Sequence, residues 1–261
     1  MSPRETLLDP DEPLPVIVAQ PNGTSPLLLC CDHAGNRIPR ALGTLGLPPH
    51  ELERHIAIDI GALAVATGIA QALDATLIAQ PYSRLVIDCN RQPGRPTSIP
   101  EISETTEIPG NLHLSEEERA QRAREILHPY HHRIETEIDL RVYARRPVLI
   151  ATIHSFTPVF KGVSRPWHLG TIHGLDGRGA RAFLDLAAAE TDLVVGENEP
   201  YIVEMDDDYT LPIHAEGRGI PYVELEIRQD LIGTEVGQQA MADRLSRLLG
   251  RWVDHMLPLA E

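Results

Sequence analysis

Apolar and polar positions along the chain fall into two alternating kinds of segment. Short apolar runs read as strands: "LLLCC" from Leu27, "TLIA" from Thr76, "RLVID" from Arg84, "VLIATI" from Val148, "WHLGTI" from Trp167, "LVV" from Leu193 and "PYVELEI" from Pro221. Between them lie segments with apolar residues at helical spacing. Residues 50–73 carry Leu52, Ile56, Ile60, Leu63, Ile69 and Leu73 after a Pro-Pro start. Residues 115–142 open on Ser115 with Glu118 three positions later, a capping box, and Pro129 predicts a kink. Further helices are predicted over 179–190 and 236–256, and the Pro-, Gly-, Ser- and Thr-rich stretch 90–111 reads as a long loop. Strands alternating with helices predict an α/β fold: one three-layer domain over 1–261, its first twenty residues extended, with a mixed, mostly parallel sheet covered on both faces. In such sheets ligands gather at the carboxyl ends of the strands.

The residues at those carboxyl ends change the picture. After "LLLCC" come Asp32 and His33; after "RLVID" come Cys89, Asn90 and Arg91; after "VLIATI" come His154 and Ser155. Within "YVELEIR", Tyr222, Glu224, Glu226 and Arg228 share one face, and Val223, Leu225 and Ile227 the other. Zinc takes imidazole nitrogen and carboxylate oxygen, and its catalytic sites use three protein ligands. His33 and His154 supply two. The third is open between Asp59, costly to bury in "HIAIDIGA" unless paired or metal-bound, His55 about one turn earlier, and Asn36, whose neutral amide fits better behind a ligand than as one. Glu226 is placed to move a proton beside such a centre, or to pair with an arginine. By contrast, "HPYHHR" (His128 onward) lies mid-helix with His131 and His132 pointing apart, and "DRLSRLLGRWVDH" is the solvated side of the last helix.

Composition narrows the classes. With 261 residues, 42% of them hydrophobic, the chain suits a globular enzyme. A formal net charge of −15 argues against nucleic acid as a partner. The acidic, proline-rich start lacks a signal-peptide pattern, and no apolar run is long enough for a membrane span. Cys30, Cys31 and Cys89 cannot pair evenly, which suits small buried residues in a reducing cytoplasm. Lys161 is the only lysine, so the local cations an anionic substrate would need are almost all arginine.

The ordered set "CDHAGNRIP", "HIAIDIGA", "YSRLVIDCNR", "IPGN", "IHSFTPV", "GENEPY" and "LPIHAEGRGIPYVELEIRQDLI" resembles the N-formylglutamate amidohydrolase family from about Leu28 to the final helix. The first motif departs from the "PHSG"-like form of better-known members, as in a divergent branch. The resemblance implies a fold similar to zinc exopeptidases and cell-wall amidases, and hydrolysis of N-formyl-L-glutamate to formate and glutamate, a late step of histidine breakdown. By position it carries ligand roles to His33 and His154, the proton-transfer role to Glu226, and the "DxNR" segment to Asp88, Asn90 and Arg91. By analogy with the amidases, a carboxylate on the first long helix places the middle ligand at Asp59. The mechanism so implied has one Zn²⁺ activate water, Glu226 shuttle the proton and His214 assist at the oxyanion. Arg84, Asn90, Arg91 and Arg228 would bind the anionic acyl amino acid, with Arg165 a further candidate and 90–111 a lid. Two alternatives stand beside it: a zinc amidohydrolase for another N-acyl amino acid or small peptide, and a non-catalytic binding protein on a hydrolase scaffold.

Overall fold

A computed structural model describes residues 6–259, so residues 1–5 of the expected extended start lie outside the described residues. The strands are β1 (Ile17–Ala19), β2 (Leu27–Cys31), β3 (Thr76–Ala79), the hairpin β4 (Ile102–Ser103) and β5 (Thr106–Glu107), β6 (Leu149–Phe156), the hairpin β7 (Val159–Phe160) and β8 (Val163–Ser164), β9 (Leu169–Ile172), β10 (Val195–Glu197) and β11 (Tyr222–Arg228). Seven of them form one sheet in the order β1-β3-β2-β6-β11-β9-β10. Strands β3, β2, β6 and β11 run parallel; β1 and the β9–β10 pair run against them. The helices are α1 (Ala62–Leu73), α2 (Glu116–Arg122), α3 (His128–Tyr143), α4 (Arg178–Ala187), α5 (Thr210–His214) and α6 (Glu235–Met256).

Alternation within the central strands builds a core on each side. Leu27, Leu29, Ala151, Ile153, Val223, Leu225 and Ile227 face α1, α4 and α6. Leu28, Cys30, Ile150 and Tyr222 face the other way, toward Ile134 and Ile138 of α3 and Leu211 of α5. This is the expected covered α/β sheet, and neighbouring side chains on one strand serve different cores. All three cysteines are buried and unpaired. Among the described residues no helix is long and apolar enough to cross a membrane.

Several expected elements take another form. Residues 84–88 are fully apolar in the middle, yet they run as a turn rather than a strand, with Leu85, Val86 and Ile87 buried in the second core. The helix expected from residue 50 begins only at Ala62. Gly61 sits at φ +80°, which breaks the helical path, and a Cβ there would meet the Ile232 carbonyl at 2.3 Å. Asp59 therefore stands in an irregular segment before α1, not on the helix. The long helix starts on its capping box, Glu118 N donating to Ser115 Oγ at 3.3 Å. A π-helical turn, Ala123–Leu127, then precedes the helix that carries Pro129. The stretch 90–111 contains short turns and the β4–β5 hairpin. Asn111 anchors its end, donating to the carbonyls of Leu85 and Pro100 and accepting from buried Arg122 at 2.7 Å.

Candidate metal centre

The carboxyl ends of β2, β6 and β11 carry the groups that leave the apolar pattern. His33 comes just after β2, and His154 lies near the end of β6. Glu226 is its registered neighbour on β11. Thr152 and His154 share the side of the sheet that Glu224 and Glu226 occupy, opposite the apolar first core. The irregular segment before α1 brings Asp59 under both histidines, its backbone N–H donating to the His33 carbonyl at 3.1 Å.

One carboxylate oxygen is shared by two rings. Nδ1 of His33 lies 3.2 Å, and Nδ1 of His154 2.9 Å, from Asp59 Oδ2, with the ring centroids 5.1 Å apart. Ligand atoms of His33, Asp59 and His154 lie within 4.8 Å of one another, all three residues buried. The far nitrogen of each ring meets a second carboxylate: His33 Nε2 donates to Asp88 Oδ1 at 2.7 Å, and His154 Nε2 is 3.1 Å from Asp32 Oδ2. Asp88 is held in turn by Arg84 Nε at 3.0 Å and by the Asn90 N–H at 2.9 Å. Asp32 Oδ1 accepts from Tyr130 Oη at 2.7 Å and Thr210 Oγ1 at 2.8 Å. Two imidazoles and a carboxylate converging on one point, each ring backed by a carboxylate, is the arrangement that fixes the tautomer of metal-binding histidines. The donor set therefore fits a divalent cation, and the Asp59 alternative is the one that joins the cluster. His55 only approaches Asp59 Oδ1 at 3.6 Å, and Asn36 donates instead to the Leu52 carbonyl at 2.8 Å.

Electrostatics agree with the geometry. Burial alone would push the His33 and His154 rings down. Asp88 and Asp59 outweigh it at His33, Asp32 and Asp59 at His154, and both rings are raised. Burial would raise Asp59, but the two rings hold it well below the usual carboxylate range. At His55 burial outweighs the pull of Asp59, and the ring is lowered to about 4. Burial, with Asp59 and Glu224 nearby, pushes Glu226 well up, and its Oε2 has no hydrogen-bond partner. Burial also raises Glu224, which accepts from Thr152 Oγ1 at 3.0 Å.

A cleft of about 600 Å³ opens over this centre, lined by His33, Asp59, His154, Glu226, Arg84, Asn90 and Arg91 among others. That is ample for an acyl amino acid. The sequence expectation fails at two positions. His214 is not a cleft residue. It ends α5 behind the site, where its ring lies beside that of His131, the ring nitrogens 3.0 Å apart. Arg228 does not reach the cleft either: the backbone after β11 turns it out to Asp230, 2.8 Å from Nε. Arg84 and Arg91 do line the cleft, already paired with Asp88 and Asp208. Asn90 lends its side-chain oxygen to the Thr210 N–H at 3.0 Å. Asn198, Tyr201 and Asp208 are cleft residues that the sequence pattern does not single out; only the "GENEPY" motif carries a signal for the first two.

The sequence model of the N-formylglutamate amidohydrolase family matches residues 25–233. A gene product of Agrobacterium tumefaciens has a crystal structure similar to this fold, with a TM-score of 0.92 and 41% identity over 96% of this chain and 99% of that one. The N-formylglutamate amidohydrolase of Ralstonia eutropha shares the fold at a TM-score of 0.63 and 18% identity, over 92% of this chain and 97% of its own. No curated protein sequence matches the chain.

Proposed function

The chain belongs to the N-formylglutamate amidohydrolase family and is a hydrolase of amide bonds, and on that premise we propose that it is a metal-dependent amidohydrolase cleaving N-formyl-L-glutamate or a similar N-acyl amino acid. The observation that carries the reading is the double approach of His33 and His154 to Asp59 Oδ2, with Glu226 unpaired beside them. His33, Asp59 and His154 would hold one divalent cation, zinc in this reading because catalytic zinc sites of hydrolases use two imidazoles and a carboxylate. When bound, such a cation polarises an acyl carbonyl and lowers the pKa of water. Asp88 and Asp32 keep the two rings turned inward. Glu226 does the proton work. Water adds to the acyl carbon as its proton passes to a Glu226 carboxylate oxygen. The C–N bond then breaks as Glu226 returns that proton to the leaving nitrogen. Its burial, which raises its affinity for a proton, suits a group that must hold one between the two steps.

Three paired acids bear on the substrate. Because Arg84 and Arg91 are already neutralised by Asp88, Asp59 and Asp208, the two carboxylates of formylglutamate meet little free positive charge there. That favours, as a second reading, the same chemistry on an N-acyl amino acid with a single carboxylate. The formylglutamate reading would put the protein late in histidine breakdown, and three buried thiols suit a reducing cytoplasm. A small anionic substrate remains the partner this reading implies, rather than nucleic acid.

The test joins metal content to formate release from N-formyl-L-glutamate. The wild-type protein is expected to hold about one zinc per chain and turn over. His154→Ala should lose both, while Glu226→Gln should keep the metal and lose roughly 10²–10⁴-fold in kcat. Zinc bound equally by wild type and His154→Ala would sink the metal assignment. Formate release by Glu226→Gln at the wild-type rate would sink the proton-transfer role.

A further inference from the structure

Among the described residues, Arg165 is the guanidinium beside the cleft that no carboxylate neutralises. It is 8% exposed, and its partners are aromatic rings and hydroxyls. Its charge lies over the rings of Phe156, Phe160 and Tyr201, at 5.8, 4.6 and 4.9 Å from their centroids. Its Nη1 donates to the Tyr201 phenol oxygen at 3.1 Å, and more weakly to Thr157 Oγ1 at 3.4 Å. Guanidinium has no acceptor, so the phenol oxygen can only receive that bond. The phenolic proton is then free, and among the described residues no protein acceptor takes it.

That proton belongs to a residue lining the cleft. Tyr201 and Phe160 line it, whereas Arg165 stands behind them. The turn that carries Tyr201 is pressed onto the sheet beside the proposed proton shuttle. A Cβ on Gly170 would meet the Glu199 carbonyl oxygen at 1.8 Å and Glu226 Cβ at 3.4 Å. Elsewhere the cleft wall is acidic, with Glu104, Glu199, Glu204 and Asp208, and its two lining arginines are paired. Away from the proposed ion, the guanidinium beside the cleft left without a carboxylate is that of Arg165, and an anion meets its charge through the hydroxyl of Tyr201. Burial raises the phenol, so it remains a neutral donor rather than a repelling phenolate.

We propose that Tyr201, backed by Arg165, binds the free carboxylate of the substrate. The assignment rests on the reading of the site as an N-acyl amino acid hydrolase, and makes one carboxylate a requirement for tight binding. Tyr201→Phe removes one oxygen and keeps the ring under Arg165. With zinc-loaded protein, its KM for N-formyl-L-methionine should rise about tenfold or more, as for loss of a hydrogen bond to a charged group. kcat should change little, and KM for N-formyl-L-methioninamide, which lacks the carboxylate, should not move. An equal rise for acid and amide, a fall in kcat at constant KM, or no change at all would overturn the assignment.

A second readout needs no turnover. Metal-free wild-type protein should gain thermal stability from N-formyl-L-methionine and less from its amide, and Tyr201→Phe should erase that difference. Wild-type protein that discriminates the two ligands when metal-free, but releases no formate once loaded with zinc, would leave this assignment standing and overturn the hydrolytic reading of the substrate. Wild-type protein that fails to discriminate them would overturn the assignment itself.

Discussion

Two pairs of buried histidines lie on the same side of the sheet, and their surroundings give them opposite characters. His33 and His154 meet edge to face, 5.1 Å apart, with a carboxylate at every ring nitrogen: Asp59, Asp88 and Asp32. His131 and His214 lie side by side with near-parallel planes, centroids 5.2 Å apart, and among the described residues no carboxylate bonds to either ring. His131 Nε2 must donate to the Cys89 carbonyl at 2.7 Å, so its Nδ1 accepts from His214 Nε2 at 3.0 Å, and His214 Nδ1 is left bare and unpartnered. Burial holds that pair neutral, at about 4 and about 3, while the carboxylates raise the other. The same side chain thus sits among carboxylates in one place, where it is a proposed ion ligand, and is a neutral strut in the other. Its acidic neighbours decide which.

The comparison breaks most sharply at Asp59. Asp59→Ala removes the group both rings share. Bound metal should fall from about one per chain to near zero, with activity lost alongside it, as read by metal analysis and formate release. Retention of stoichiometric metal would mean that the two imidazoles suffice. A smaller effect is expected one step back. Asp88→Asn and Asp32→Asn keep shape but remove the charge behind each ring, and competition with a chelator should report metal affinity weakened about 10–100-fold.

The His131–His214 pair sharpens the contrast through pH. Its folded values lie below the ordinary histidine value of 6.5. Between about pH 6.5 and about pH 4 the unfolded chain binds protons that the folded chain refuses, so the pair's contribution to stability falls as pH falls. The carboxylate-bound pair has the opposite sign in metal-free protein: its contribution is full below about pH 6.5 and is lost as pH rises through the raised values. Urea unfolding of metal-free His131→Phe/His214→Leu protein should therefore lose less stability on going from pH 6.5 to 4 than wild type. The difference is on the order of a few kcal/mol. An unchanged slope would mean the pair is not the source.

Much of this was legible in the chain because cost is legible. A carboxylate amid Ile56, Ala57 and Ile60, or charges at Glu224 and Glu226 inside an apolar strand, must be explained by partners, and those residues do meet at one sheet edge. Strand-end histidines were legible for the same reason. What failed depended on neighbours distant in sequence. Residues 84–88 carry a strand's composition, yet the sheet has no place for them between β3 and β2, which pair directly. His214 opens a run of glycine and charge, but α5 turns it toward α3. Arg228 has a strand end's position without its direction. Tyr201 gave no chemical signal because its role depends on Arg165, reached only through the fold.

The Asp32 carboxylate has a consequence for the order in which the molecule is made. Its Oδ1 accepts from Tyr130 and from Thr210, the latter 178 positions further along the chain. His33 and Asp59, 26 positions apart, meet early in synthesis, and His154 joins them 95 positions beyond Asp59. All three groups proposed to hold the ion therefore emerge before Thr210 fixes the carboxylate behind His154, and before Glu226 exists at all. Contacts this distant are slow to close. In the proposed reading, the groups that would hold the ion are therefore made first and the group that would move the proton last.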